Sequence, residues 1–226
     1  MPKRCELCGR LIPFDENECL RCISADYRIP EDFCIHCNRY RCICDDSSHR
    51  LKLSVAFIYS DGIRHRIHRY KFGKEKLYSR FFAENLHDSI IEDFGTSTFD
   101  YVTFIPSNGK KAFSFNSSEQ ISRSLARRLH CPCVPLLKRT RPTLRQRHLS
   151  YEQRKINMKD AFAAIETAEL KGKTVLICDD VKTTGSTLFA AEKALLKGGA
   201  EKVYCCAVAT PVFASADILD KESENL

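Results

Sequence analysis

The chain has 226 residues, 43% of them apolar, with a formal net charge of +7. That content can bury a sizeable core for one ordinary domain with a small appendage. The sequence has no run of about 18 apolar residues and no signal-peptide pattern, which argues against a spanning helix and a secreted chain and predicts a soluble, cytoplasmic protein.

Of the thirteen cysteines, eight lie in the first 44 residues, paired as Cys5 and Cys8, Cys19 and Cys22, Cys34 and Cys37, and Cys42 and Cys44. In the first three pairs a Cys-x-x-Cys turn can point two thiolates to one side, and two such turns complete a tetrahedral zinc shell. Cys5-x2-Cys8-x10-Cys19-x2-Cys22 reads as a zinc ribbon. Cys42-x-Cys44 is one residue short of a knuckle, so His36 or His49 is an alternative ligand at a second site. A segment this small has little core of its own, whereas structural zinc supplies about 10–16 kcal/mol of folding free energy. One or two structural zinc ions are therefore expected in residues 1–50, with no open coordination position for catalysis. Cys131, Cys133, Cys178, Cys205 and Cys206 sit in or beside apolar runs and read as buried small hydrophobes.

From residue 51 onward the apolar pattern alternates. It predicts a strand at 53–60, helices at 63–72 and 76–92, a strand at 101–105, a helix at 117–129, and a short strand at 133–137. A buried strand at 175–178, a helix at 188–197 and a strand at 203–208 follow, and the polar residues 221–226 read as a frayed end. Such alternation implies βαβ units, an α/β fold with a central parallel sheet, and a ligand site beyond the carboxyl ends of the strands. The division expected is a cysteine-rich region at 1–50 and an α/β domain at 51–226.

Charge is uneven along this domain. Residues 60–80 carry seven Lys or Arg against two acids, and residues 138–159 carry eight against one. Tyr70, Phe72, Tyr78, Phe81 and Phe82 interleave with the first run, either as core or as a stacking surface for single-stranded nucleic acid. The second run, at 138–148, reads as a mobile loop able to close over a polyanion. After the strand at 101–105 comes Pro106-Ser107-Asn108-Gly109-Lys110-Lys111, a turn with exposed N–H groups followed by two cations.

The most informative stretch is 175–187. Val175, Leu176, Ile177 and Cys178 form an unbroken apolar run, as a strand buried on both faces requires. Asp179 and Asp180 follow, and then Thr183, Thr184, Gly185, Ser186 and Thr187 turn into the next helix. Backbone N–H groups and hydroxyls at a helix N-terminus make an anion site. Two carboxylates beside it ask for a ligand that also offers hydroxyls or a metal, as a ribose 5-phosphate does. Gly172-Lys173-Thr174 is no Walker A loop, because position 167 is Thr and the triplet precedes the strand. The acidic pair with Thr-x-Gly-x-Thr resembles the phosphoribosyl pyrophosphate (PRPP) motif of type I phosphoribosyltransferases.

The chain as a whole resembles the ComF (ComFC-like) family. The resemblance rests on the cysteine knuckles, Tyr70-Lys71-Phe72-Gly73, the Pro106 loop, Gln146-x2-Leu149-x4-Arg154-x2-Asn157-x3-Ala161-Phe162 and the PRPP motif, in that order. It implies a type I phosphoribosyltransferase fold with an N-terminal zinc-binding region, and a link to natural transformation through imported single-stranded DNA and DNA-uptake proteins. It also implies that Asp179 and Asp180 hold the ribose hydroxyls, directly or through Mg²⁺, and that residues 183–187 bind the 5-phosphate. Ser107, Asn108, Gly109, Lys110 and Lys111 then cradle the pyrophosphate, with an arginine of 138–147. One segment departs from the family: where an Arg-Gly-Phe-Asn-Gln sequence is usual, this chain has Phe113-Ser114-Phe115-Asn116-Ser117. Two functions follow from this reading, a PRPP-dependent transferase and a non-catalytic PRPP-sensing or nucleic-acid-binding adaptor.

Overall fold

The computed structural model describes residues 3–5, 10–13, 28–44, 51–73, 77–95, 97–107, 115–144, 149–166 and 169–213. Near the amino terminus β1 (Lys3–Arg4) pairs antiparallel with β2 (Leu11–Ile12). The main body then runs β3 (Leu53–Ile58), α1 (Asp61–Gly73), α2 (Leu77–Phe94), β4 (Tyr101–Phe104) and α3 (Ser117–Arg128). It continues with β5 (Leu137–Arg139), α4 (Tyr151–Met158), β6 (Phe162–Ala164), β7 (Thr174–Val181), α5 (Ser186–Lys197) and β8 (Lys202–Thr210).

Four of these strands make one parallel sheet in the order β3-β8-β7-β4. Central β7 is the apolar run read from the sequence, and Val175, Leu176, Ile177 and Cys178 are all fully buried. Alternation along the strand divides them between two cores. Leu176 and Cys178 pack with Ile63, Tyr70, Phe82, Leu86, Ile121 and Leu125 from α1, α2 and α3. Val175 and Ile177 pack on the other face with Leu188, Ala191 and Leu195 of α5 and with Met158 and Phe162. The helices thus cover both faces, as a parallel sheet demands. Cys178, Cys205 and Cys206 are buried core residues, as expected.

Two expectations need correction. The short strand lies at Leu137–Arg139 rather than 133–137, and Cys133 makes only an isolated parallel bridge to Val102. Pro132 and Pro135 have no N–H to give, so backbone pairing with β4 is limited, among the described residues, to Val102 N donating to Pro132 O and Val134 N to Val102 O, both at 2.9 Å. The basic loop expected at 138–148 begins inside a strand, since Lys138 and Arg139 belong to β5, which pairs antiparallel with β6; residues 145–148 lie outside the described residues, and α4 follows in the chain. A capping box starts α4, with Gln153 N donating to Ser150 Oγ at 3.3 Å and Ser150 N to Gln153 Oε1 at 2.9 Å. Of the two readings offered for the aromatics of the first basic run, core holds for most of them. Tyr70, Tyr78 and Phe82 are buried and Phe81 stacks on Phe57 at 5.7 Å, leaving Phe72 as the exposed member at 71%. Among the described residues no helix is long and apolar enough to cross a membrane.

Candidate functional site

The acidic pair sits at the carboxyl end of β7 but still within the ladder, with Asp179 opposite Ala207 and Val181 opposite Ala209 on β8. Both carboxylates are held from across the sheet end. Ser118 Oγ donates to Asp179 Oδ1 at 3.0 Å, and the Asp180 amide donates to the same oxygen at 2.8 Å. Ser117 Oγ donates to Asp180 Oδ2, and Lys71 Nζ makes an ion pair with that oxygen at 2.8 Å.

The sequence explains how these partners reach the site. Ser117 and Ser118 open α3, whose N-cap is Asn116; the Asn116 amide also donates to Ile105 O at 3.1 Å, tying the helix start to the end of β4. Lys71 lies in the last turn of α1. Its neighbour Tyr70 is fully buried, donates to Ser117 O at 2.9 Å, and packs edge-on against Phe82 and Phe115. Tyr70 therefore fixes α1 and α3 at the distance that lets Lys71 and Ser117 share one carboxylate oxygen.

Electrostatics follow from this crowding. Burial, then the Asp180 charge, push the Asp179 carboxyl up to about 7, against the opposing hydrogen bonds and Lys71. Burial works against the Lys71 ammonium, but the Asp180 charge and hydrogen bond and the Asp179 charge outweigh it and raise the lysine above its ordinary value. A site that spends stability on two adjacent carboxylates is a candidate for function.

The 183–187 loop closes the other side. Gly185 adopts φ +78 and serves as the N-cap of α5, so the cap residue itself offers no side chain to the helix start, where backbone N–H groups and hydroxyls gather as an anion site requires. Thr184 Oγ1 lies 2.9 Å from Ser186 Oγ, and the Ser186 amide donates to Thr184 Oγ1 at 3.4 Å. Thr183, Thr184, Ser186 and Thr187 are half-buried, which keeps their hydroxyls partly accessible.

On the side expected to hold pyrophosphate, Ser107 is exposed beyond β4, while Asn108, Gly109, Lys110 and Lys111 lie outside the described residues, as do Phe113 and Ser114. Among the described residues the arginine of 138–147 that reaches this side is Arg139. Its Nε donates to Pro106 O at 2.9 Å, its Nη1 to Thr143 Oγ1 at 3.0 Å, and its guanidinium lies over Phe162 at 4.9 Å. Burial lowers it from its ordinary value and the Asp179 charge opposes that shift.

A second constellation stands beside this one. The Sγ atoms of Cys34, Cys37, Cys42 and Cys44 all lie within 4.8 Å of one another, with Cys34 and Cys44 at 3.8 Å. Zn–S bonds of about 2.3 Å place tetrahedral sulfurs about 3.8 Å apart, so the cluster can hold zinc. The short Cys42-x-Cys44 spacing suffices without a histidine. Burial opposes ionisation of Cys34, but the amides of Cys37 and His36 and the neighbouring thiols bring it down to about 6. Cys5 is buried, while its expected partners Cys8, Cys19 and Cys22 lie outside the described residues, as does His49.

The two constellations touch. Lys182, between the acidic pair and the loop, is 2% exposed, and its ammonium donates to Ile35 O, to His36 O at 2.9 Å and to Asn38 Oδ1 at 2.6 Å. Sequence reasoning did not single out Lys71, Ser117, Ser118, Lys182 or Asn38 as site residues. Tyr70-Lys71-Phe72-Gly73 offered a signal for Lys71. For Asn38 and Lys182 there was none, since they meet across 144 residues.

The phosphoribosyl transferase domain family matches residues 116–223. The DNA utilization protein YhgH of Escherichia coli is 28% identical over 210 residues, covering 89% of this chain and 88% of that protein. Competence protein F of Haemophilus influenzae is 38% identical over 91 residues, 39% of this chain and 40% of that one. Among solved structures, adenine phosphoribosyltransferase from Saccharomyces cerevisiae aligns over 69% of this chain and 79% of its own, at 22% identity and a TM-score of 0.41.

Proposed function

We propose that this chain, a ComF-type protein carrying the phosphoribosyl transferase domain, binds PRPP and transfers its phosphoribosyl group with release of pyrophosphate. The observation that carries the reading is the oriented acidic pair of β7 next to the glycine-capped, hydroxyl-rich start of α5. In such a reaction the bond from the anomeric carbon to the pyrophosphate oxygen breaks as the acceptor bonds to that carbon. Positive charge develops on the sugar and negative charge on the leaving group.

Asp179 and Asp180 hold the ribose hydroxyls and put carboxylates near the cationic sugar. Thr183, Thr184, Ser186, Thr187 and the first amides of α5 hold the 5-phosphate. Lys110, Lys111 and Arg139, with Ser107, Asn108 and Gly109, take the pyrophosphate charge. Among the described residues neither Asp179 Oδ2 nor Asp180 Oδ1 carries a hydrogen bond, so both can meet Mg²⁺ arriving with the ligand. That ion, when bound, neutralises part of the pyrophosphate charge. The division into a zinc-binding region at 1–50 and a transferase domain at 51–226, acting in the cytoplasm, belongs to the same reading.

Calorimetric titration of zinc-replete protein with PRPP and Mg²⁺ tests the pocket. Saturable binding that is lost in Asp179→Asn/Asp180→Asn supports it, and absence of binding by folded wild-type protein retires it.

A second reading, contact with single-stranded DNA in uptake or utilization, is favoured by one groove. It measures ≈ 890 Å³ and runs from Thr184–Ser186 along α5, between that helix and α4. Lys155, Lys159, Lys193 and Lys197 line it without an ion-pair partner among the described residues, beside Phe189, which is 42% exposed. Lys138, Asp160 and Glu166 line it too, with Lys138 paired to Glu166 at 2.9 Å. Cations interleaved with an exposed aromatic suit a single strand. Lys193→Glu/Lys197→Glu should lower oligodeoxythymidine affinity at least tenfold and leave PRPP binding intact; unchanged oligonucleotide affinity refutes the groove's role.

A further inference from the structure

The turn carrying Cys34 and Cys37 is bonded directly to the first residues of the phosphate loop. Lys182 gives all its ammonium hydrogens to this turn, to the carbonyls of Ile35 and His36 and to Asn38 Oδ1. Asn38 is fully buried at φ +62. Its Nδ2 donates to Thr183 O at 2.7 Å, while its Oδ1 also accepts from Thr210 Oγ1 at 2.7 Å. Its amide donates to Cys34 O and its carbonyl accepts from Phe213 N, both at 2.8 Å. One side chain therefore joins the knuckle, the end of β8 and the loop after β7.

The carbonyls that receive Lys182 belong to the two residues between Cys34 and Cys37, so their direction depends on the turn those thiolates close. A Cys-x-x-Cys turn is ordered chiefly by its metal. Without it, a buried ammonium loses the acceptors it has in this turn, and a buried cation without partners is not tolerated. The loop would then have to move.

We propose that the Cys34–Cys37–Cys42–Cys44 knuckle is the brace of the 183–187 loop, with Asn38 and Lys182 as positioning residues that couple its metal occupancy to loop geometry and hence to binding of the sugar 5-phosphate. The ligand half rests on the PRPP reading above, whereas the metal-to-loop half stands alone. Coupling of this kind is reciprocal: whatever factor zinc adds to ligand affinity, ligand adds to zinc affinity.

The test is hydrogen exchange on the full chain, zinc-loaded, compared with Cys44→Ser and with zinc-loaded Lys182→Met. Amides of residues 183–187 should exchange at least tenfold faster in Cys44→Ser, while those of residues 175–178 stay protected. In Lys182→Met the loop should exchange fast even with zinc bound. If Cys44→Ser also exposes residues 175–178, zinc-loaded Asn38→Ala carries the comparison with its fold intact. Unchanged loop protection in the variants that fold overturns the proposal. In parallel, Mg²⁺-PRPP should raise zinc affinity, measured by equilibrium competition with a chelator, by the factor by which zinc tightens PRPP, and Lys182→Met should bring that factor to one. PRPP binding without mutual influence on zinc overturns the coupling alone; a zinc-dependent loop in a protein that never binds PRPP overturns the ligand reading alone.

Discussion

Asp179→Asn should make the ligand-free protein more stable above neutral pH while removing PRPP binding. Burial and the Asp180 charge raise the Asp179 carboxyl from 3.8 to about 7. A carboxyl whose folded pKa lies above its unfolded value lends stability that is complete below about pH 4 and is lost as pH rises through about 7. At 1.36 kcal/mol per unit the loss has an upper bound of about 4 kcal/mol. The carboxylate keeps some solvent access and shares its charge with Asp180, so about 2 kcal/mol is the expected figure. Asparagine keeps the shape and can still accept from Ser118 Oγ and the Asp180 amide through Oδ1, the bonds seen at 3.0 and 2.8 Å. At about 2–4 °C per kcal/mol for a chain of this size, the Tm of Asp179→Asn should exceed wild type by about 4–8 °C at pH 8. The two should converge near pH 4. Thermal unfolding followed by circular dichroism from pH 4 to 8.5, with zinc present throughout, gives the curve. A variant less stable than wild type at pH 8, or a gap independent of pH, would refute the electrostatic account of the pair.

Two other changes probe the same charges. Lys71→Met removes the ammonium 2.8 Å from Asp180 Oδ2, a pair with 32% and 14% of its side chains exposed. It should cost about 1–3 kcal/mol at pH 8 and less at pH 5, where Asp179, raised to about 7, has lost the charge that also holds Lys71, with Lys71→Arg recovering most of the loss; urea titrations at both pH values measure it. Arg139→Met removes the guanidinium held at Pro106 O. Affinity for inorganic pyrophosphate should fall about tenfold, or about 1.4 kcal/mol, while affinity for ribose 5-phosphate stays within about twofold, as competition calorimetry would show.

What could be read from the sequence was set by how local its cause is. The run 175–178 announced a central strand because burial on both faces removes polar residues in an unbroken stretch. The placement of the acidic pair at the strand's carboxyl end and of Gly185 at the helix start was legible because strand, turn and helix follow one another within a few residues. The pair β5–β6 and helix α4 were hidden under basic composition, although Ser150-x-x-Gln153 spelled the capping box that starts the helix. The second thiolate cluster looked defective because spacing rules assume two regular knuckles, while the fold lets Cys42 and Cys44 close around Cys34 and Cys37. Asn38 and Lys182 were invisible because each is ordinary in its own neighbourhood. Only tertiary contact makes a buried lysine acceptable.

The segment that departs from the family pattern decides between transferase and sensor. Lys71 is already engaged with Asp180, so in this arrangement it balances the acidic pair rather than a leaving pyrophosphate. The Phe115 and Asn116 shared with the family do structural work here, Phe115 against Tyr70 and Asn116 as the α3 cap, and Ser117 keeps contact with Asp180. What the departure removes is a cation at position 113, where this chain has Phe. Charge that matters only as the pyrophosphate leaves appears in turnover rather than in ground-state affinity. Phe113→Arg should therefore raise the rate of PRPP cleavage about tenfold or more while changing PRPP affinity less than threefold, measured as pyrophosphate release and by calorimetry on the same preparation. A transferase slowed by this substitution gives that split. If affinity rises and cleavage stays at the uncatalysed level, the pocket is built to hold PRPP, and the adaptor reading gains what the transferase reading loses.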